Sequence, residues 1–168
     1  RSEGTAESTW MVSDMNPSTG HAVPMGLASA GDYVYFWAEE CQSRMALWRT
    51  AGTDDTTTRL RDLWPTSLAR YPWDWFLAAP TGVYFAATDG AHGSELWWSD
   101  GTPEGTRMVV DLLPGPTGGS PQSFARLGDR VFFSASDGVH GTELWSTDGT
   151  AEGTVMVLDL RLGESSST

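Results

Sequence analysis

Asp89–Thr106 reads DGAHGSELWWSDGTPEGT, and 48 residues further on Asp137–Thr154 reads DGVHGTELWSTDGTAEGT. A stretch that returns at a fixed distance of a few tens of residues marks an array of like supersecondary units. Architecture therefore has to be settled before any single residue is read as chemical.

The same register runs through the rest of the chain. Trp97 aligns with Trp145 at a spacing of 48 and with Trp48 at a spacing of 49. Val131–Ala135 (VFFSA) matches Val83–Ala87 (VYFAA) and, more distantly, Val34–Ala38 (VYFWA). A third phase occurs four times, as Thr9–Asp14 (TWMVSD), Thr57–Asp62 (TTRLRD), Thr106–Asp111 (TRMVVD) and Thr154–Asp159 (TVMVLD). The chain is read as one repeat array of three units, about 16–63, 64–112 and 113–160, with residues 1–15 the overhanging end of a preceding unit. On that register Arg1 falls in mid-unit, and without an initiator Met the expectation is a processed product or an excised fragment.

Within the third unit every segment reads as strand. Ser123–Leu127 ends at Gly128-Asp129, a hairpin signal, and Arg130–Ser136 follows, rich in Val and Phe. Gly138–Gly141 breaks the chain, Thr142–Thr147 resumes it, Asp148–Gly153 turns it again, and Thr154–Leu160 forms the last segment. No apolar stripe of period 3.6 is long enough for a helix. Val131–Phe133 and Met156–Leu158 are apolar at consecutive positions, which predicts strands covered on both faces, as between stacked sheets. The predicted fold is all-β: propeller-type blades of four antiparallel strands, three in this chain, as part of a larger ring or an oligomer. An extended β-solenoid is the competing architecture, though its repeats are usually shorter.

Turn chemistry explains much of the recurrence. In Ser99–Thr102 and Thr147–Thr150 the Asp is placed to accept a backbone amide two residues on, and the Gly after it to take the positive φ of a tight turn. Gly105 and Gly153 are expected to serve the same purpose at the far end of the loop. In Glu95-Leu96-Trp97 and Glu143-Leu144-Trp145 the period of two puts Glu and Trp on one face and Leu on the other. The recurrent Trp is expected to pack on the neighbouring unit, a burial contributing about 2–3 kcal/mol each.

Composition narrows the partners. Ten Arg against twenty-two Asp plus Glu give a net charge of −12, which repels phosphate backbones and anionic headgroups. Nucleic acid and membrane insertion are not expected; cations and neutral ligands such as glycans are compatible. Lys and Ile are absent and Asn occurs once, a pattern of GC-rich coding. Cys41 has no second Cys to pair with and is read as a small half-buried residue, with a reactive thiol as the alternative. No apolar run reaches the length of a membrane helix, and no signal peptide is visible.

The string ELW, two residues, DGT, two residues, GT, then Val shortly before Asp, stands here as Glu95-Leu96-Trp97, Asp100-Gly101-Thr102, Gly105-Thr106, Val109 and Asp111. It stands again as Glu143-Leu144-Trp145, Asp148-Gly149-Thr150, Gly153-Thr154, Val157 and Asp159. This closely resembles the bacterial ELWxxDGT repeat proteins, and the match is specific over Val83–Leu160. In the first unit Ala46-Leu47-Trp48 and Ala51-Gly52-Thr53 lack the Glu and the Asp, and Cys41–Arg44 replace the GxHG loop. The resemblance implies a tandem, propeller-like array in a secreted or cell-surface protein, and it supplies no catalytic set.

Three groups of side chains are candidates for a site. Asp89, His92 and Glu95, with their counterparts Asp137, His140 and Glu143, combine imidazole with carboxylates, a ligand set for a transition metal or, through the Asp residues, for calcium. The competing reading is that His and Asp in a Gly-rich loop satisfy backbone groups. No cofactor is required by the sequence; of the metals these loops suit, calcium ranks ahead of zinc. Nucleophile elbows, zinc-protease helices, phosphate loops and dinucleotide fingerprints are absent, His21 aligns with no other His, and the paired carboxylates recur with the repeat, so catalysis is not expected. The third group is aromatic. Nine Trp is a surplus, and Trp73, Asp74, Trp75 and Trp98 form a candidate ligand surface on which rings stack against sugars while Asp74 accepts hydroxyls. The same aromatics would also suit a junction between units or a contact with another chain. The function expected is a non-catalytic module for structural assembly or protein–protein interaction, partnered by other copies of itself or the rest of a longer repeat protein. The alternative is a lectin-like carbohydrate binder.

Overall fold

In the computed structural model of the chain, residues 1, 4–16, 21–40, 44–66 and 76–159 are described. Short runs of aromatic and β-branched residues between Gly/Asp turns satisfy their backbone groups by pairing with the next run, and the described chain is built of such meanders. Sheet 1 holds β1 (Met25–Ala30), β2 (Tyr33–Glu40), β3 (Arg44–Thr50) and β4 (Thr58–Asp62), antiparallel and in sequence order. Sheet 3 repeats it with β10 (Gln122–Leu127), β11 (Arg130–Ser136), β12 (Thr142–Thr147) and β13 (Val155–Leu158). In sheet 2 the first edge is divided: β5 (Trp64–Pro65) pairs Thr88 and Ala87 of β7 (Gly82–Thr88), while β6 (Leu77–Ala79) pairs Tyr84 to Gly82. Sheet 2 is completed by β8 (Glu95–Ser99) and β9 (Arg107–Val110). The only helical turn among the described residues is Asp54–Thr56.

The three sheets share their register. Phe36 faces Trp48, Phe85 faces Trp97 and Phe133 faces Trp145 across the central strand pair. The ladder to the last strand shifts at Leu47/Trp48, Leu96/Trp97 and Leu144/Trp145, so the bulge repeats as well. The strands of the third unit fall where the hydrophobic runs put them, β11 and β12 to the residue. Thr9–Asp14, which matches the fourth strands in sequence, forms no strand, and among the described residues no ladder runs beside it.

Two apolar layers hold the sheets together. Between sheets 1 and 2, Tyr35, Trp37 and Leu47 meet Val83, Phe85 and Trp97. Between sheets 2 and 3, Tyr84, Leu96 and Val109 meet Val131, Phe133 and Trp145. Burial of each such side chain contributes about 1.5–3 kcal/mol. Because sheet 2 is covered on both faces, β7 is buried at six consecutive positions, whereas β11 in sheet 3 alternates. The double coverage predicted for Val131–Phe133 and Met156–Leu158 therefore fails. Phe132 is half-buried and Val157 and Leu158 are exposed, because among the described residues no sheet lies against that face.

Candidate functional site

The recurrent motif residues are used by the fold itself. Asp100 accepts the Thr102 amide at 2.8 Å and the Thr102 hydroxyl at 2.7 Å, and Asp148 does the same with Thr150 at 3.0 and 2.7 Å. Those hydroxyls in turn accept the amides of Gly105 and Gly153. The Thr102 and Thr150 hydroxyl bonds hold both carboxylates below the usual range. Gly101 and Gly149 take positive φ as the turn requires, but Gly105 and Gly153 do not. The latter two are glycine because a Cβ would stand 2.1 and 2.0 Å from the Asp100 and Asp148 carboxylates. The first unit makes the complementary exchange. Ala51 replaces the Asp, Thr56 replaces the Gly, and the Thr56 hydroxyl accepts the Thr53 amide at 3.2 Å in the carboxylate's stead.

Glu95 and the two histidines separate in the same way. The Glu95 carboxylate is buried and accepts the amides of Leu112 at 3.0 Å, Leu113 at 3.4 Å and Gly119 at 2.7 Å. Burial pushes its pKa up against the pull of those amides. It thereby fastens the connection that leads into sheet 3. Glu143 is buried at the equivalent place, and the positions equivalent to Leu112 and Leu113 are Leu160 and Arg161, outside the described residues. His92 Nδ1 lies 2.8 Å from Asp89, and His140 Nδ1 lies 2.7 Å from Asp137. Each Asp also accepts two loop amides, from Ala91 and His92 and from Val139 and His140. Partial burial works against ionising Asp137, but the His140 amide, the His140 ring and the Val139 amide outweigh it and bring the carboxyl down to about 2. Asp89 is lowered by a like balance, and both imidazoles are raised by the hydrogen bond to their Asp. The structure thus joins Asp89 to His92 and Asp137 to His140 and turns Glu95 toward backbone. Among the described residues no three His, Cys, Asp or Glu side chains are grouped as a metal centre needs.

Of the aromatic candidates, Trp73, Asp74 and Trp75 lie outside the described residues, as does Cys41. Trp98 is half-buried in β8 and lines a cleft of about 400 Å³ between sheets 2 and 3. Its ring is 4.5 Å from that of Tyr84, and Arg107, Arg126, Asp129 and Asp148 complete the polar wall. Arg107 donates to the Gly149 carbonyl at 2.9 Å, which fixes its stem across the sheet junction. Burial raises the Tyr84 hydroxyl, and Arg107, Asp148 and Arg126 act on it in turn, so three charges surround one point of the cleft. Sequence reading passed over Tyr84, Arg107, Arg126 and Asp129. The available signal was difference rather than recurrence: Arg126 and Asp129 stand where the second unit has Ala78 and Thr81. Comparison with known proteins finds no matching family and no matching curated protein. No helix among the described residues is long and apolar enough to cross a membrane.

Proposed function

We propose that this chain is a non-catalytic repeat module, secreted or held at the cell surface, whose sheets are propeller-type blades and whose role is assembly with another copy of itself. One contrast carries the reading. Leu96 and Val109 of sheet 2 are 0% and 4% exposed beneath sheet 3, while their counterparts Leu144 and Val157 are 42% and 46% exposed on the far face of sheet 3. A face whose sisters are closed by the next sheet is complementary to a sheet of the same kind. The ELWxxDGT resemblance supports the location at the cell exterior, and the net charge of −12 suits a soluble repeat that keeps unrelated anionic surfaces away. No metal enters this reading, since Asp89, Glu95, Asp100, Asp137 and Asp148 all accept backbone amides.

Sedimentation velocity over a wide concentration range tests it. The chain is expected to form discrete oligomers that Leu144→Lys dissociates without lowering the unfolding midpoint of the monomer. A chain that stays monomeric at every concentration overturns assembly between copies.

A further inference from the structure

We propose that the cleft between sheets 2 and 3 is a binding site for a carboxylate-bearing pyranose, of the uronic acid class. Trp98, half-buried and backed by the buried Tyr84 ring 4.5 Å away, offers an aromatic face of the kind that receives the apolar side of a sugar ring. Arg107 and Arg126 stand on the same wall, and guanidinium is the group suited to hold a carboxylate. Arg107 and Arg126 are matched on this wall by Asp129 and Asp148, so the cleft is locally balanced in charge although the whole chain carries −12. Asp129 and Asp148 line the same space as hydrogen-bond acceptors for the hydroxyl donors that a sugar ring supplies. The cleft of about 400 Å³ is in the range of small-molecule sites, roughly 300–1,000 Å³.

The repeat provides an internal control. At the junction of sheets 1 and 2, the places of Trp98, Arg126 and Asp129 are taken by Arg49, Ala78 and Thr81. There the Arg49 guanidinium lies 4.0 Å over the Tyr33 ring, so the position is closed by the chain itself. In the second unit the residue matching Tyr33 is Gly82, and a Cβ there would stand 2.8 Å from the Trp98 indole. The sheet 2–3 junction therefore has an aromatic (Trp98), two cations (Arg107 and Arg126) and an acceptor (Asp129) that folding alone does not demand, since the sister junction carries Arg49, Thr58, Ala78 and Thr81 at those places. Leu144 and Val157 do not line this cleft, so the site is separate from the assembly face.

Isothermal titration of the full chain with a galacturonic acid oligomer, and with a neutral galactose oligomer of equal length, tests the assignment. Trp98→Ser and Arg126→Ala are the variants, because the third unit carries Ser146 at the former place and the second unit Ala78 at the latter, so both residues are compatible with the fold. The acidic oligomer is expected to bind saturably and more weakly as salt rises, the neutral one not measurably, and each variant is expected to lower affinity about tenfold or more. Leu144→Lys is expected to leave the titration unchanged, which separates this site from assembly. No binding of the acidic oligomer, equal binding of the neutral one, or unchanged affinity in both variants would overturn the proposal.

Discussion

The hydroxyl of Tyr84, in the second strand of sheet 2, stands 2.7 Å from the point where a side chain on Gly149 of sheet 3 would begin. Tyr35 of sheet 1 stands at the same 2.7 Å from that point on Gly101 of sheet 2. In the second and third units the turn glycine is thus the floor on which the preceding unit's Tyr rests. Gly149→Ala adds a methyl against Tyr84 and demands a φ of 94° from an alanine. The variant is expected to lose about 2–4 kcal/mol of stability in urea titration, strain and overpacking together. Adding Tyr84→Phe removes the clashing oxygen and should restore part of the loss. A double variant no more stable than the single one would show that the turn, not the sheet contact, demands glycine.

Glu95 ties three amides of the connection between sheets 2 and 3. Glu95→Gln replaces one acceptor oxygen with a donor aimed at N–H groups, so at least one buried amide loses its partner, at a cost of about 1–3 kcal/mol. Hydrogen exchange should report this locally, with faster exchange at Leu112 and Gly119 and little change in sheet 1. The first unit reaches the same end without a carboxylate, since Ala46 occupies that place and the chain enters β5 directly. Uniform acceleration over all three sheets would contradict a local clamp.

The parts of this molecule legible in its sequence are those that period and turn chemistry govern. Arg130–Ser136 and Thr142–Thr147 could be read as strands because turn residues bound them, and the Asp100 and Asp148 turns because the Asp-Gly order has one local solution. What escaped was set by neighbours distant along the chain. That Gly105 avoids a carboxylate rather than takes a positive φ depends on where Asp100 folds, and Thr56 in the first unit gains its sense from the loss of that Asp. Leu96 and Leu144 are the same letter in the same motif, yet opposite in burial, because sequence states that a unit repeats and not what lies beside its last copy. The cleft at Trp98 was hidden for a related reason: a search for recurrent residues discards Arg126 and Asp129.

The paired loops give the chain a pH signature. His92 and His140 have imidazoles raised by Asp89 and Asp137, so their contribution is fully present below the ordinary imidazole value of about 6.5 and is lost as pH rises through the raised native values. Asp137, lowered to about 2, contributes above its ordinary value near 3.8 and loses that contribution as pH falls toward 2. The two loops are therefore tightest in mildly acidic solution, between the two limits. Proton NMR titration should place both imidazole midpoints above the ordinary value, and Asp137→Asn should return His140 alone toward it. A His140 midpoint indifferent to that change would mean the Asp137 contact does not persist in solution.

Leu96 and Leu144 offer the sharpest comparison, because one truncation in two equivalent places separates a closed layer from an open one. Leu96 sits between Val109, Val131 and Phe133 with no exposure, so Leu96→Ala leaves a cavity that flanking sheets cannot collapse to fill. Its expected cost is about 2–5 kcal/mol in chemical denaturation. Leu144 is 42% exposed in the single chain, and Leu144→Ala is expected to cost less than about 1 kcal/mol at dilution. If a second copy closes that face, the Leu144 penalty must grow with protein concentration, since burial is then completed by association. Denaturation midpoints measured across a hundredfold concentration series should show the wild type becoming more stable while Leu144→Ala does not follow. A gap between wild type and Leu144→Ala that stays constant over the series would mean the far face of sheet 3 is a surface that copies of this chain leave open.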